Sequence, residues 1–155
     1  MIRTFTQIHI QIVFAVEGRQ HLIRPELRGE VQKYMAGIIR KRSQKLLAIY
    51  CMPDHAHLLI GLRPDMALSE LVQAVQDGSA DLINRKRWYP GTFRWQEGFG
   101  AFSYGHSQVP TVIRYILHQK EQHEKRGFRA EYLQLLRRFE IPHDERLVSP
   151  QAGLA

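Results

Sequence analysis

The stretch Pro53–Ile60, which reads Pro-Asp-His-Ala-His-Leu-Leu-Ile, limits the fold of this 155-residue chain more than any other. The nearly continuous apolar character beyond its histidines is typical of a strand at the centre of a sheet. Because successive side chains of a strand point to opposite faces, His55 and His57 share one face. They are either a structural pair or two ligands of a metal site whose third ligand comes from another element.

Composition indicates a globular protein with a surplus of positive charge. Apolar residues make up 44% of the chain and aromatic residues 10%, which is too apolar for a disordered protein. The 22 Lys and Arg against 15 Asp and Glu give a net charge of +7, which favours nucleic acid as a partner. The single cysteine, Cys51, excludes an internal disulfide, and no apolar run approaches the roughly 20 residues of a membrane span. Since the N-terminus lacks a signal-peptide pattern, we expect a cytoplasmic protein without a membrane segment.

Alternating and helical periodicities divide the chain into four strands and three helices, followed by a shorter amphipathic segment. The order strand, helix, strand, strand, helix, strand, helix is the ferredoxin-like pattern of split βαβ units. We therefore predict an α+β fold with an antiparallel ferredoxin-like sheet, whose third strand lies between the first and the second, and an additional C-terminal helix. One domain over residues 1–148 and a flexible tail over residues 149–155 are expected. The predicted strands span residues 4–16, 45–51, 55–62 and 98–104, the helices residues 25–43, 69–87 and 110–126, and the amphipathic segment residues 130–139.

The third predicted helix offers residues that could complete a site beside the histidines. Tyr115 and Gln119 are four residues apart, so they lie on one helix face, next to the apolar stripe. An amide can bind a metal, and a tyrosine hydroxyl could attack a phosphate held by that metal and form a covalent intermediate. An ordinary helix flank explains the same pair. On the first strand, His9 is either a packed strand histidine or a third metal ligand.

Two basic clusters end the first two helices, where cations interact favourably with the helix dipole. The cluster that ends the first helix is either a solvated helix end or a phosphate contact. Asp77, in the second helix, would repel a phosphate if it faced DNA, and Gly78 beside it predicts a kink or close packing. The clusters consist of Arg40, Lys41 and Arg42 at the end of the first helix, and of Arg85, Lys86 and Arg87 at the end of the second.

Several separated segments together resemble the single-tyrosine transposases of small bacterial insertion sequences. Residues 53–59 resemble the histidine–hydrophobic–histidine (HUH) motif of that family, and residues 115–119 resemble its tyrosine-plus-glutamine helix. Residues 10–16 and 95–108 are similar to a subgroup of the family, which also includes the REP-associated tyrosine transposases. The resemblance covers roughly residues 3–147, with the motifs in the family's order.

The resemblance implies a metal-dependent endonuclease and strand-transferase for single-stranded DNA, with the third helix as its catalytic helix. His55, His57 and Gln119 would bind a divalent cation, Mg²⁺ or Mn²⁺, that polarises a phosphodiester. Tyr115 would attack the phosphorus, which leaves a 5′-phosphotyrosine bond and a free 3′-hydroxyl. The implied partners are the hairpin ends of a mobile element, contacted by the two basic clusters, and a second copy of the chain in a homodimer with shared active sites.

Two alternatives keep the nucleic-acid partner but change the function. The first is a domesticated relative of the same fold that cleaves chromosomal repeat hairpins. The second is a non-catalytic nucleic-acid-binding module, which would use stacking aromatic side chains on an open sheet face. The first strand instead places Gln7, His9 and Gln11 on that face.

Overall fold

A four-stranded sheet is the frame of the protein in the computed structural model, which describes residues 3–148. Its strands are β1 (His9–Ala15), β2 (Lys45–Met52), β3 (His55–Gly61) and β4 (Gly100–Tyr104). The helices are α1 (Pro25–Lys41), α2 (Leu68–Lys86), α3 (Val109–Leu117), α4 (Gln119–Lys125) and α5 (Phe128–Arg138). The spatial order is β2-β3-β1-β4 with antiparallel neighbours, so the third strand lies between the first and the second as predicted.

Both histidines of the motif lie in the middle of this sheet. On β3, His55 pairs with Ala15 of β1, and His57 pairs with Val13. Strand β2 pairs with the opposite edge of β3 over the same residues. Because ladders on both sides fix the backbone of the motif, its two imidazoles project from a rigid support.

One face of the sheet is covered by α1 and α2. Phe14 of β1 and Leu58 of β3 point into this layer and are buried there. Gly78 lies where the two helices meet, and a Cβ atom at this position would be 2.5 Å from Ile38 Cδ1. The close packing predicted for this glycine is therefore confirmed.

Helices α3, α4 and α5 cover the opposite face, on which both histidines lie. Val112 of α3 packs on Leu59, and Leu135 of α5 packs on Val13. The polar face of the first strand is therefore not open, and Gln11 is only 1% exposed. These three helices therefore cover His55 and His57.

The helix predicted over residues 110–126 is interrupted at His118, so that it forms two helices, α3 and α4. His118 has φ −110° and ψ 31°. At this point the carbonyl of Tyr115 accepts a hydrogen bond from the side-chain amide of Gln119, at 3.4 Å. Periodicity did not reveal the break, because helical hydrogen bonds resume at once between the Gln122 N–H and the His118 carbonyl.

The bounds of other predicted segments also differ from the observed ones. The first and fourth strands begin later than the alternating pattern predicts, at His9 and Gly100. The tail predicted over residues 149–155 lies outside the described residues. Within residues 3–148, no helix combines the length and the apolar character that crossing a bilayer requires.

Candidate active site

His55 and His57 lie at the centre of a buried polar cluster, with both side chains 0% exposed. The Nδ1 atom of His55 is 2.7 Å from Asp54 Oδ1. Since an ionised carboxylate only accepts, His55 donates from Nδ1 and keeps a lone pair on Nε2. His57 accepts at Nδ1 from Gln11 Nε2, 3.0 Å away, and its Nε2 lies 2.9 Å from Glu131 Oε1. Each ring is thus fixed in orientation by a buried partner.

Burial and neighbouring charges set the protonation of His55. Burial lowers the pKa of its imidazole to about 4, and the hydrogen bond to Asp54 opposes only part of this effect. Burial raises the pKa of the Asp54 carboxyl, but the contacts with His55 and Arg19 outweigh this effect and lower that pKa to about 2. Arg19 Nη2 is 3.1 Å from Asp54 Oδ2. Near neutral pH, His55 is therefore a neutral imidazole with a free Nε2, the form that binds a metal ion.

Tyr115 projects from α3 into the same cluster, where its ring centroid is 6.1 Å from that of His57. Its hydroxyl donates to Glu131 Oε2 and accepts from Arg126 Nη2 at 3.1 Å. Burial raises the pKa of Tyr115, the negative charge of Glu131 raises it further, and Arg126 opposes part of the rise. The hydroxyl is therefore a neutral phenol in contact with both a proton acceptor and a cation. A single copy of the chain brings it to the histidines.

Gln119, the third residue predicted to bind a metal, reaches the histidines from α4. Its side chain is 0% exposed, and its Oε1 is 3.5 Å from His55 Nε2. The structure thus brings together all three residues, although their role as ligands stays a prediction. His9 is not among them: its ring lies 6.3 Å from the ring of His106, as for a packed strand histidine.

Two members of the cluster were not predicted from the sequence. His123 on α4 and Glu131 on α5 join His55 and His57 in a group whose four ligand atoms lie within 4.8 Å of one another. His123 follows Gln119 by one helical turn, so helical spacing could have found it. Glu131 gives no such signal, because periodicity does not show that α5 turns an acid toward the sheet. Buried imidazoles with carboxylate and amide oxygens are a donor set that fits a divalent metal ion.

A cavity of about 290 Å³ borders Tyr115 on the side of Glu131. Arg126 and Arg138 line it, and Gln134 adds a polar group. Guanidinium groups bind phosphate oxygens in charge-assisted pairs. The cavity therefore gives a phosphate group a place beside the tyrosine hydroxyl.

The two predicted basic clusters belong to the other helical layer, at the ends of α1 and α2. The structure does not bring the clusters together. The end of α2 contacts the first part and the middle of α1, where Lys86 Nζ is 3.0 Å from Glu30 Oε1 and Arg85 Nη2 is 3.3 Å from Tyr34 Oη. Asp77 is exposed on the same layer, away from the histidines. The cluster residues, all exposed, are Arg40, Lys41, Arg42, Arg85, Lys86 and Arg87.

Comparison with known proteins places this chain in a family. The sequence profile of the family described as "Transposase IS200 like" matches residues 4–119. The ISDra2 transposase TnpA of Deinococcus radiodurans is 21% identical over 126 residues, which cover 77% of this chain and 86% of that protein. The fold is similar to the crystal structure of a protein assigned as a transposase from Deinococcus radiodurans, with 19% identity, a TM-score of 0.62, and 77% and 95% of the two chains covered. A REP-associated tyrosine transposase bound to a REP hairpin is also similar, with 14% identity, a TM-score of 0.60, and 79% and 73% covered.

The family match and the two structures agree with the fold predicted from the sequence. The matched segment contains the histidine pair, Tyr115 and Gln119, whereas His123 and Glu131 follow it. The match extends over most of the chain. The chain therefore belongs to the IS200-like family of transposases, enzymes that cleave DNA and transfer its strands.

Proposed function

We propose that this transposase cleaves single-stranded DNA with Tyr115 and holds one broken end as a 5′-phosphotyrosine. The proposal rests on the position of the Tyr115 hydroxyl, between the Glu131 carboxylate and the Arg126 guanidinium. The hydroxyl also borders the arginine-lined cavity. It thus has a proton acceptor, a cation and space for a phosphate around it, which are the requirements of an activated nucleophile.

His55, His57 and Gln119 would hold the divalent cation, Mg²⁺ or Mn²⁺. When bound, such a cation polarises a phosphodiester oxygen and stabilises the charge that develops on it. The chemistry of the donors supports this role, because Asp54 keeps the proton of His55 on Nδ1 and leaves Nε2 free. The carboxylate–histidine pair also orients the ring, as in many metal sites.

Cleavage forms one bond and breaks another. The Tyr115 oxygen bonds to phosphorus while the bond from phosphorus to the 3′ oxygen breaks, which leaves a 3′-hydroxyl on one fragment. The Tyr115 hydroxyl passes its proton to Glu131 Oε2, to which it already donates, and Glu131 releases that proton to solvent while the departing 3′ oxygen takes one up from solvent. Arg126 stabilises negative charge on the phenolic oxygen. Strand transfer is the same reaction in reverse, with a new 3′-hydroxyl as the attacking group.

Hairpin DNA is the proposed substrate, because a solved protein of similar fold is bound to a REP hairpin. The exposed basic clusters at the ends of α1 and α2 would contact backbone phosphates outside the active site, so binding should weaken with salt. We also propose a homodimer, as the resemblance to the family implies. Sharing of active sites between subunits is not required to assemble them, because one chain already seats Tyr115 beside His57.

The non-catalytic binding module is less well supported. Such a module needs an open sheet face for stacked bases, whereas α3, α4 and α5 cover the face that bears the histidines. The domesticated nuclease would use the same active site and differs from the mobile-element enzyme only in which hairpins it cleaves.

A labelled single-stranded hairpin, incubated with the protein and Mn²⁺ and run on a denaturing gel, tests the proposal. We expect a covalent protein–DNA band that disappears in Tyr115→Phe. The matched control is Tyr89→Phe, since the Tyr89 hydroxyl is buried without a hydrogen-bond partner among the described residues, and its ring packs in the other helical layer. An adduct that survives in Tyr115→Phe would show that another residue is the nucleophile. Retention of the hairpin without any cleavage would favour a binding module.

A further inference from the structure

We infer that His123 and Glu131 are also metal ligands, so that the active site selects a transition-metal dication over Mg²⁺. The inference rests on the proposed metal-dependent function and deepens it. Both residues follow the segment 4–119 that matches the family profile. The extended ligand set is therefore a property of the C-terminal helices of this chain, α4 and α5.

Glu131 Oε1 is the atom on which the cluster converges. It lies 2.9 Å from His57 Nε2, 3.2 Å from His123 Nε2 and 3.7 Å from His55 Nε2. Gln119 Oε1 is 3.0 Å from His123 Nε2 and 3.5 Å from His55 Nε2. Nitrogen and oxygen ligands bound to one ion at about 2.0–2.2 Å are about 3.0–3.6 Å apart. The measured separations are close to this range, so these side chains would need only small shifts to bind one metal ion together.

The burial of Glu131 is a second reason to expect a cation among these side chains. Its carboxylate is 0% exposed, and a buried carboxylate is normally paired with a cation or bound to a metal. Its contacts are imidazoles and the Tyr115 hydroxyl, which hydrogen-bond the charge without a permanent positive charge of their own. The permanent cation nearby, Arg126, hydrogen-bonds to Tyr115. A dication at the converging atoms would neutralise the carboxylate directly.

The chemistry of the donors indicates the class of metal. Three imidazole nitrogens suit ions such as Zn²⁺ and Ni²⁺, and Mn²⁺ accepts nitrogen ligands more readily than Mg²⁺, which prefers oxygen ligands and keeps several waters. Gln11 can support His57 in the metal-bound form, because rotation of its amide would present Oε1 to a protonated Nδ1. The Tyr104 hydroxyl, which donates to Gln11 Oε1 at 2.7 Å, would then accept instead.

The same carboxylate would connect the metal site to the predicted nucleophile. Oε1 of Glu131 faces the imidazoles, while Oε2 accepts from the Tyr115 hydroxyl. Glu131 would thus be the proton acceptor of Tyr115 as well as a metal ligand. Binding of Glu131 to the metal would also hold α5 against the sheet.

Titration of the full-length, EDTA-treated protein with Mn²⁺ by calorimetry, without DNA, tests the inference. We expect Glu131→Gln and His123→Asn each to weaken Mn²⁺ binding by about 100-fold or more, because loss of a ligand should cost at least as much as loss of its supporting hydrogen bond. The matched controls are Glu124→Gln and His118→Asn, which alter exposed neighbours of the same residue types and should leave affinity within about twofold. The parent protein should bind Mn²⁺ at least about tenfold more tightly than Mg²⁺.

Unchanged Mn²⁺ affinity in the folded Glu131 and His123 variants would overturn the inference and leave the proposed function standing. A parent protein that binds no metal would contradict both. Circular dichroism shows whether each variant folds. A second measurement avoids variants altogether: in the Co²⁺-loaded parent, NMR should show paramagnetically shifted ring signals from three histidines, and two would contradict the inference. Because no DNA is present, failure of Tyr115 to form an adduct cannot affect either result.

Discussion

Asp54→Asn is a direct test of how the candidate site is connected to the stability of the fold. The Asp54 carboxylate accepts from His55 Nδ1 at 2.7 Å and from Arg19 Nη2 at 3.1 Å. The side chains of Asp54 and Arg19 are only 9% and 12% exposed, so water screens their attraction weakly. Asparagine has the same shape but lacks the charge, and it cannot satisfy both donors equally well.

The size of the effect follows from the pKa of the Asp54 carboxyl, which folding lowers from 3.8 to about 2. At about 1.36 kcal/mol per pKa unit, the ionised carboxylate contributes roughly 2.5 kcal/mol to the free energy of unfolding. A group with a lowered pKa stabilises the fold above its unfolded-state pKa. This contribution is therefore fully present at neutral pH and is lost as the pH falls from 3.8 toward 2.

Urea denaturation in EDTA at neutral pH, followed by circular dichroism, measures this difference. Asp54→Asn should lower the free energy of unfolding by about 2 kcal/mol, and the gap to the parent should narrow in acid. The control is Asp65→Asn, because the ion pair of Asp65 with Arg63 is 3.4 Å long and more than half exposed at both partners. That variant should cost less than about 0.5 kcal/mol. Equal losses in the two variants, or a gap that does not change with pH, would show that the charge of Asp54 does not stabilise the fold.

Two further predictions concern the assembly of the site and the buried thiol. The contact between Tyr115 and His57 within one chain indicates that each chain uses its own tyrosine. A mixture of the Tyr115→Phe and His57→Ala variants should therefore form no covalent adduct with DNA. An adduct band on a denaturing gel would show instead that subunits share their active sites. Cys51 is 0% exposed, and burial raises the pKa of its thiol to about 12, so a thiol reagent should label the native protein far more slowly than the urea-unfolded one. Equally fast labelling in both states would contradict the burial of this residue.

Much of the fold follows from local patterns in the sequence. Alternation identified the first strand, and the apolar run after His57 identified the third strand as central, because a strand leaves a repeating signal in its own side chains. The strand order followed from the order of elements, since few connections are compatible with it. The break at His118 left no such signal, because helical hydrogen bonds resume directly after it.

The candidate site was predictable to the extent that its residues occur in short motifs. His55, His57, Tyr115 and Gln119 lie at strand or helix spacing within two segments. Glu131 belongs to a separate helix, and its place among the histidines depends on how α5 packs on Val13 and its neighbours. Such tertiary packing has no counterpart in local spacing.

The basic clusters were easy to find in the sequence, but their position in the fold was not predictable. Their charge is evident from the sequence, but a run of arginines and lysines does not show which face of the molecule it occupies. In the folded protein the clusters lie on the α1–α2 layer, whereas Arg126 and Arg138 line the cavity beside Tyr115. Neither of these two arginines belongs to a charge run at the end of the first or second helix.

The proposed 5′-phosphotyrosine mechanism is tested by locating the covalent bond between the protein and DNA. The hairpin is labelled either at its 5′ end or at its 3′ end, and the adduct is digested and analysed by peptide mass spectrometry. We expect the 3′-labelled strand to remain on the protein, attached through its 5′ phosphate to the peptide that contains Tyr115. The 5′-labelled fragment should be released with a free 3′-hydroxyl. Attachment of the 5′-labelled fragment, or of either fragment to a peptide without Tyr115, would contradict a 5′-phosphotyrosine bond formed by Tyr115.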